Sequence, residues 1–148
     1  MKVGIALQGV TRLFLDTAPV IYFVERNPAY VAVADDIFQR IDSGLLQGAT
    51  SPVTLAECLI MPVRLGLIQP QQDFADVLVQ GANMTFVPLD AAIARNTAEL
   101  RVKYNLGLAD AFQVAAALAS GCGALLTNDQ GLNRVQELPI LVMDELQI

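Results

Sequence analysis

Short apolar runs of strand length alternate along this chain with longer helical patterns, and that alternation is the signature of a parallel α/β sheet. Residues 10–15, 46–50, 84–89, 124–126 and 140–143 read as strands. Helical patterns fill the intervals: 19–25 and 28–43, then 52–64 and 70–80, then 90–104 and 108–121. Asp90 stands where the N-cap of a helix belongs, directly after the third strand. No repeat, low-complexity tract or linker interrupts the pattern, so one domain over residues 1–148 is expected. In such a fold, right-handed connections bring each strand's carboxyl end and the start of the following helix to one edge of the sheet.

Histidine is absent from the chain. This removes Ser-His-Asp triads, Cys-His nucleophiles, paired-histidine acid–base catalysis and His-ligated zinc. Cys58 and Cys122 are too few and too far apart for a disulfide framework or a thiolate metal site, and read as small core residues. Carboxylates and hydroxyls must therefore carry any chemistry. The net charge of −6 argues against an unassisted nucleic-acid binder, an objection that weakens if several acids are committed to a cation. No run approaches the roughly eighteen apolar residues of a membrane span. Residues 1–15 read as the approach to a first strand rather than a signal peptide, so the expected location is the cytoplasm. With 54% apolar and 16% charged residues, a surface buried against a second copy is expected, hence a homodimer. The stripe Val31, Ile37, Phe38 and Ile41 is a candidate for that contact or for another partner; packing on the sheet is the equal alternative.

Four acids fall on the carboxyl edge. Asp16 ends the first strand and Asp129 follows the fourth; Glu57 lies early in the helix after the second strand, and Asp110 opens the helix before the fourth. Converging carboxylates repel one another unless a cation neutralises them, and Mg²⁺ or Mn²⁺ suits an all-oxygen donor set. Each acid also has an ordinary structural reading. Asp16 or Thr17 could cap the next helix, Thr54 to Glu57 fits a capping box, and Asn128-Asp129 before Gly131 is turn composition. Asp110 resists such a reading most. It precedes residues 111–119, whose only polar member is Gln113, and the nearest base in sequence is Lys103. Asp90, also after a strand, is read as a cap alone.

The segments Leu13-Phe14-Leu15-Asp16-Thr17, Ser51-Pro52-Val53-Thr54-Leu55-Ala56-Glu57, Leu108-Ala109-Asp110-Ala111 and Leu126-Thr127-Asn128-Asp129 resemble, in order and spacing, the four signature blocks of PIN domains. The likeness runs from residue 13 to about residue 143. In size and lack of appended domains the chain resembles the stand-alone VapC-type toxins of toxin–antitoxin pairs. The resemblance implies a three-layer, Rossmann-like α/β fold around a central parallel β-sheet. It also implies Mg²⁺-dependent endoribonuclease activity with Mn²⁺ as substitute, an RNA substrate, a homodimer and a small cognate antitoxin. Carried over by position, the metal-binding and catalytic acids are Asp16, Glu57, Asp110 and Asp129, with Thr127 as the helping hydroxyl beside the last. Gln130-Gly131-Leu132 departs from the family, which more often places a charged residue and an aromatic there.

The expected chemistry is attack of metal-activated water on an RNA phosphodiester, since the ion neutralises the anion and lowers the pKa of bound water. Whether Glu57 binds the ion directly, binds through water or positions the nucleophile stays open. A PIN nuclease of RNA processing and a catalytically silent binding domain are the alternatives. A receiver-type phosphoacceptor would need an acid beside Asp16, where Thr17 stands, and a dehalogenase-like phosphatase would need Asp in place of Ala18.

Overall fold

The computed structural model describes all 148 residues. Five parallel strands form one sheet in the order β3-β2-β1-β4-β5: β1 Arg12–Leu15, β2 Gln47–Thr50, β3 Met84–Phe86, β4 Ala124–Thr127 and β5 Ile140–Val142. Seven helices accompany them: α1 Val3–Ala6, α2 Thr17–Val24, α3 Val31–Asp42, α4 Pro52–Arg64, α5 Ile68–Leu78, α6 Ala91–Tyr104 and α7 Leu108–Ala119. The architecture is the three-layer α/β arrangement expected from the alternating pattern.

The period of a strand divides the core into two halves. Leu13, Leu15, Ala124 and Leu126 face the side covered by α2, α3 and α5, where Val20, Ile37, Ile41, Phe74 and Leu78 are buried. Phe14, Ala49 and Leu125 face the opposite side and meet Ile93 and Leu100 of α6 and the alanines of α7. Both faces are covered, so β1 and β4 read as continuous apolar runs rather than alternating ones. β2 is the unusual strand, Gln-Gly-Ala-Thr. A Cβ on Gly48 would collide with Met84 Sδ and lie 3.1 Å from Ile41 Cδ1, so the sequence trades strand propensity for close approach.

Because β1 lies between β2 and β4, the connections leaving β1 and those arriving at β4 cover opposite faces of the sheet. This is the topological switch point, where a crevice opens outside the carboxyl ends of adjacent strands. The residues just beyond those two ends are Asp16 and Asn128.

Several expectations shift. The first strand covers only Arg12–Leu15; before it lie helix α1 and a turn at Gly9, whose φ of 79° requires glycine. Val3 N–H donates to Gln147 O at 3.0 Å, docking the amino-terminal helix beside the carboxyl-terminal segment. α3 begins at Val31 rather than near Pro28, because Asn27 Oδ1 accepts from Ala29 N at 2.9 Å and holds a turn there. The stripe proposed as a contact surface is core instead. Ile37, Phe38 and Ile41 are 0%, 5% and 1% exposed within a single copy, so the packing alternative holds and only half-buried Val31 remains outside. Asp90 caps α6 as expected, accepting from Ile93 N at 2.9 Å. No helix is long and apolar enough to cross a membrane.

Helix α7 approaches the sheet closely because Ala111, Ala115, Ala116 and Ala117 are fully buried and small. Ala116→Leu is therefore expected to cost about 1–3 kcal/mol through overpacking. Ala119→Leu, on the exposed end of the same helix, should stay within about 0.5 kcal/mol of wild type. Urea denaturation of both variants checks this.

Candidate active site

Asp16 follows β1 and Thr127 ends β4, and the parallel register that sets Leu15 beside Leu126 brings them together. Asp16 N donates to Leu126 O at 2.9 Å, extending the ladder by one bond. Thr127 Oγ1 donates to Asp16 Oδ2 at 2.8 Å, and Gln113 Nε2 to Oδ1 at 3.3 Å. The Asp16 carboxylate is 8% exposed and makes no capping bond to α2, although it occupies the N-cap position. The helix-cap reading of this acid is thereby set aside.

Glu57 is exposed on the second turn of α4 and accepts from Thr17 Oγ1 through Oε1 at 2.7 Å. The capping box does not form. Ser51 is the N-cap of α4, accepting from Val53 N at 3.1 Å, while Thr54 donates to Leu15 O at 3.2 Å. Glu57 is thus free of helix-capping duty and turns toward the first residue of α2.

Asp110 sits half-buried in the first turn of α7. Its pKa rises to about 6, chiefly because burial disfavours the charge, then because Asp16, Asp129 and Glu57 repel it; Arg134 acts in the opposite sense. Asp16, Asp129 and Glu57 thus each act on this carboxyl through their charge from the same edge of the sheet. Asp129 is exposed and does serve the turn: Oδ1 accepts from Gly131 N at 2.8 Å, and its own N–H donates to Thr127 Oγ1 at 3.0 Å. The turn reading was correct for one of its oxygens, and the other is left without a protein partner.

No three His, Cys, Asp or Glu side chains stand in metal-holding geometry. What the structure brings together is the buried Asp16–Thr127 pair, the Thr17–Glu57 pair, and Asp110 and Asp129 as charges on the same edge. The donors are carboxylate and hydroxyl oxygens only, and a half-buried acid pressed by like charges calls for a counter-cation. That chemistry fits a hard divalent ion that keeps part of its water.

Three neighbours were not singled out from the sequence. Gln113 is fully buried against Asp16. Its signal was visible, since it is the only polar residue in the apolar segment of α7. Arg134, in the 3₁₀ turn Gln130–Arg134, donates through Nε to Gly131 O at 2.9 Å and lowers the Asp110 pKa through its charge, and nothing local in the sequence announces that placement. Asn128 donates to Tyr22 Oη at 3.0 Å and accepts from Asp144 N at 3.0 Å, tying the turn after β4 to α2 and to the carboxyl-terminal segment.

The family model described as PIN domain matches residues 13–138 of the chain. Solved structures are similar over most of their length. VapBC2 from Rickettsia felis, bound to a DNA fragment from its promoter, aligns with a TM-score of 0.70 at 18% identity, covering 87% of this chain and 96% of that one. DNA-bound VapBC from Salmonella typhimurium aligns with a TM-score of 0.66 at 17% identity, covering 89% and 98%. The Sarcin-Ricin loop cleaving toxin VapC20 of Mycobacterium tuberculosis aligns with a TM-score of 0.63 at 15% identity, covering 76% and 86%. At these identities the likeness is one of fold. No curated protein matches the chain.

The raised pKa of Asp110 has a consequence for stability without divalent ions. The fold binds this proton more tightly than the unfolded chain does, so the stabilisation is complete below about pH 4 and is lost as pH rises through about 6. Asp110→Asn removes the loss. Measured by urea denaturation in EDTA, the variant should match wild type near pH 4. At pH 7.5 it should exceed it by about 1 kcal/mol, a figure discounted for the group's partial exposure. A variant less stable than wild type at pH 7.5 would contradict the electrostatic picture.

Proposed function

Because the chain belongs to the PIN-domain family, we propose that it is a divalent-cation-dependent endoribonuclease acting in the cytoplasm as the toxin of a VapC-type toxin–antitoxin pair. What carries this reading is the placement of all four acids at the carboxyl edge, at strand ends and helix starts, where Asp16, Asp129 and Glu57 each raise the pKa of half-buried Asp110. Repulsion of that kind is costly in a purely structural edge and useful in one that takes up a cation. One structural neighbour is a Sarcin-Ricin loop cleaving toxin and others are VapBC assemblies, which supports RNA as substrate and a small antitoxin as partner.

Asp16, Glu57, Asp110 and Asp129 would hold Mg²⁺, with Mn²⁺ as substitute. When bound, the ion neutralises the scissile phosphate and makes water more acidic. The side chains have separable tasks around it. Thr127 holds Oδ2 of Asp16 and fixes the plane of that carboxylate. Thr17 holds Oε1 of Glu57, leaving Oε2 free to accept a hydrogen bond from the attacking water. Arg134 places a positive charge beside an edge that would otherwise repel the polyanion. No histidine is present to deprotonate a ribose 2′-hydroxyl, so water supplies the attacking oxygen and the 3′-oxygen leaves. A homodimer is part of the reading. Ile60, Met61, Val63, Leu65, Leu67 and Ile68, all exposed where α4 passes into α5, replace the buried stripe of α3 as the apolar surface that favours it.

Cleavage of a single-stranded RNA is the test. Mg²⁺ or Mn²⁺ should support it, EDTA should abolish it, and Asp16→Asn or Asp129→Asn should lower the rate by roughly 100-fold or more with the fold retained. Asp90→Ala, which removes only the α6 cap, should cost about 1 kcal/mol and leave the rate unchanged. Mass spectrometry should find 5′-phosphate and 3′-hydroxyl ends; metal-independent 2′,3′-cyclic phosphates would overturn the mechanism.

A further inference from the structure

We propose that Gln113 is a positioning residue for this centre: its buried carboxamide orients the Asp16 carboxylate and locks it to the helices that carry Glu57 and Asp110. The inference rests on the reading of the four acids as a cation site. Gln113 lies one turn beyond Asp110 on α7, so the two share a helix face. It is 0% exposed in an otherwise apolar stretch, where an amide without hydrogen-bond partners would be strongly destabilising. Both of its amide hydrogens and its oxygen are engaged, by Thr54 of α4, by Asp16 at the end of β1 and by Ser51, the N-cap of α4.

The amide has only one workable orientation, and the neighbouring protons dictate it. Thr54 spends its hydroxyl proton on Leu15 O at 3.2 Å, so toward Gln113 it can only accept, and it does so from Nε2 at 2.6 Å. Ser51 Oγ already accepts from Val53 N at 3.1 Å and sends its own proton to Gln113 Oε1 at 2.6 Å. A flipped amide would turn Oε1 toward the spent hydroxyl of Thr54 and toward Asp16 Oδ1, setting acceptor against acceptor. The second Nε2 hydrogen is thereby directed at Asp16 Oδ1, at 3.3 Å. With Thr127 on Oδ2, both oxygens of Asp16 are held from the protein side. One planar group so ties the end of β1, the start of α4 and the first turns of α7. Its contact on α4, Thr54, is three residues before Glu57, and Gln113 itself is three residues after Asp110. An apolar side chain would fill the same space but leave Ser51, Thr54 and Asp16 each short of a partner. Groups that orient a metal's ligands from behind typically matter 10–100-fold for affinity or activity.

Mn²⁺ titration followed by electron paramagnetic resonance, in the absence of RNA, tests this on wild type, Gln113→Met and Ala116→Leu. Methionine matches the length of glutamine without its donors and acceptor. Ala116→Leu disturbs the packing of α7 without touching Asp16. Gln113→Met should weaken Mn²⁺ binding about 10-fold or more, while Ala116→Leu keeps wild-type affinity. Wild-type affinity in a folded Gln113→Met, or equal weakening in Ala116→Leu, would overturn the proposal. A wild type that binds no Mn²⁺ would overturn the cation site itself and this inference with it. Should Gln113→Met fail to fold, the side-chain amide resonances of Gln113 in the wild-type protein decide: they should shift on saturation with Mg²⁺. Unmoved resonances beside shifting Asp16 signals would refute the role.

Discussion

Asp16 and Thr127 meet because β1 and β4 pair in parallel with Leu15 beside Leu126. Everything at the carboxyl edge depends on that register. A slip of one residue would turn Leu15 and Leu126 to the opposite face and carry Asp16 away from the crevice. The register is held by burial on both sides: Leu13, Phe14, Leu15, Leu125 and Leu126 are at most 1% exposed. The apolar core and the acidic edge are therefore two ends of the same four-residue strands, and the first fixes where the second must lie.

The edge strains against that core. Asp110 begins a helix whose amino terminus offers a partial positive charge, yet burial and three neighbouring acids still push its pKa up to about 6. Asp16 is nearly enclosed and keeps its place through donors from Thr127 and Gln113. The polar groups behind the acids, Ser51, Thr54 and Gln113, bond to one another and to the backbone rather than to solvent. The protein thus meets the cost of gathering like charges by hydrogen-bonding these side chains to one another directly beneath them.

Local chemistry made much of this legible in the sequence. Apolar runs located four of the strands, the alternation with helical patterns placed β2, Pro52 marked the start of α4, and Asp90 announced its own cap. Four acids were assigned to one edge by topology alone, and the structure brings them into a common electrostatic neighbourhood. What stayed illegible depends on distant partners. Gln113 and Asp16 are 97 positions apart, so a lone amide on an apolar helix could be noticed but not paired. Arg134 arrives through a 3₁₀ turn that carries no periodic pattern. The stripe on α3 has the same spacing whether it faces a sheet or a second protein, and only the position of α3 over β1 decides for the sheet. The capping-box match at Thr54 failed for a related reason: Ser51, three residues earlier, had already begun the helix.

That the four acids act together as one cation-binding centre is tested most directly by thermal unfolding with and without Mg²⁺. Binding to the folded state alone should raise the melting temperature, by roughly 3–6 °C at ten times the dissociation constant. Asp16→Asn should lose that response while remaining folded. A wild-type protein that melts at the same temperature with Mg²⁺ and with EDTA would contradict the centre.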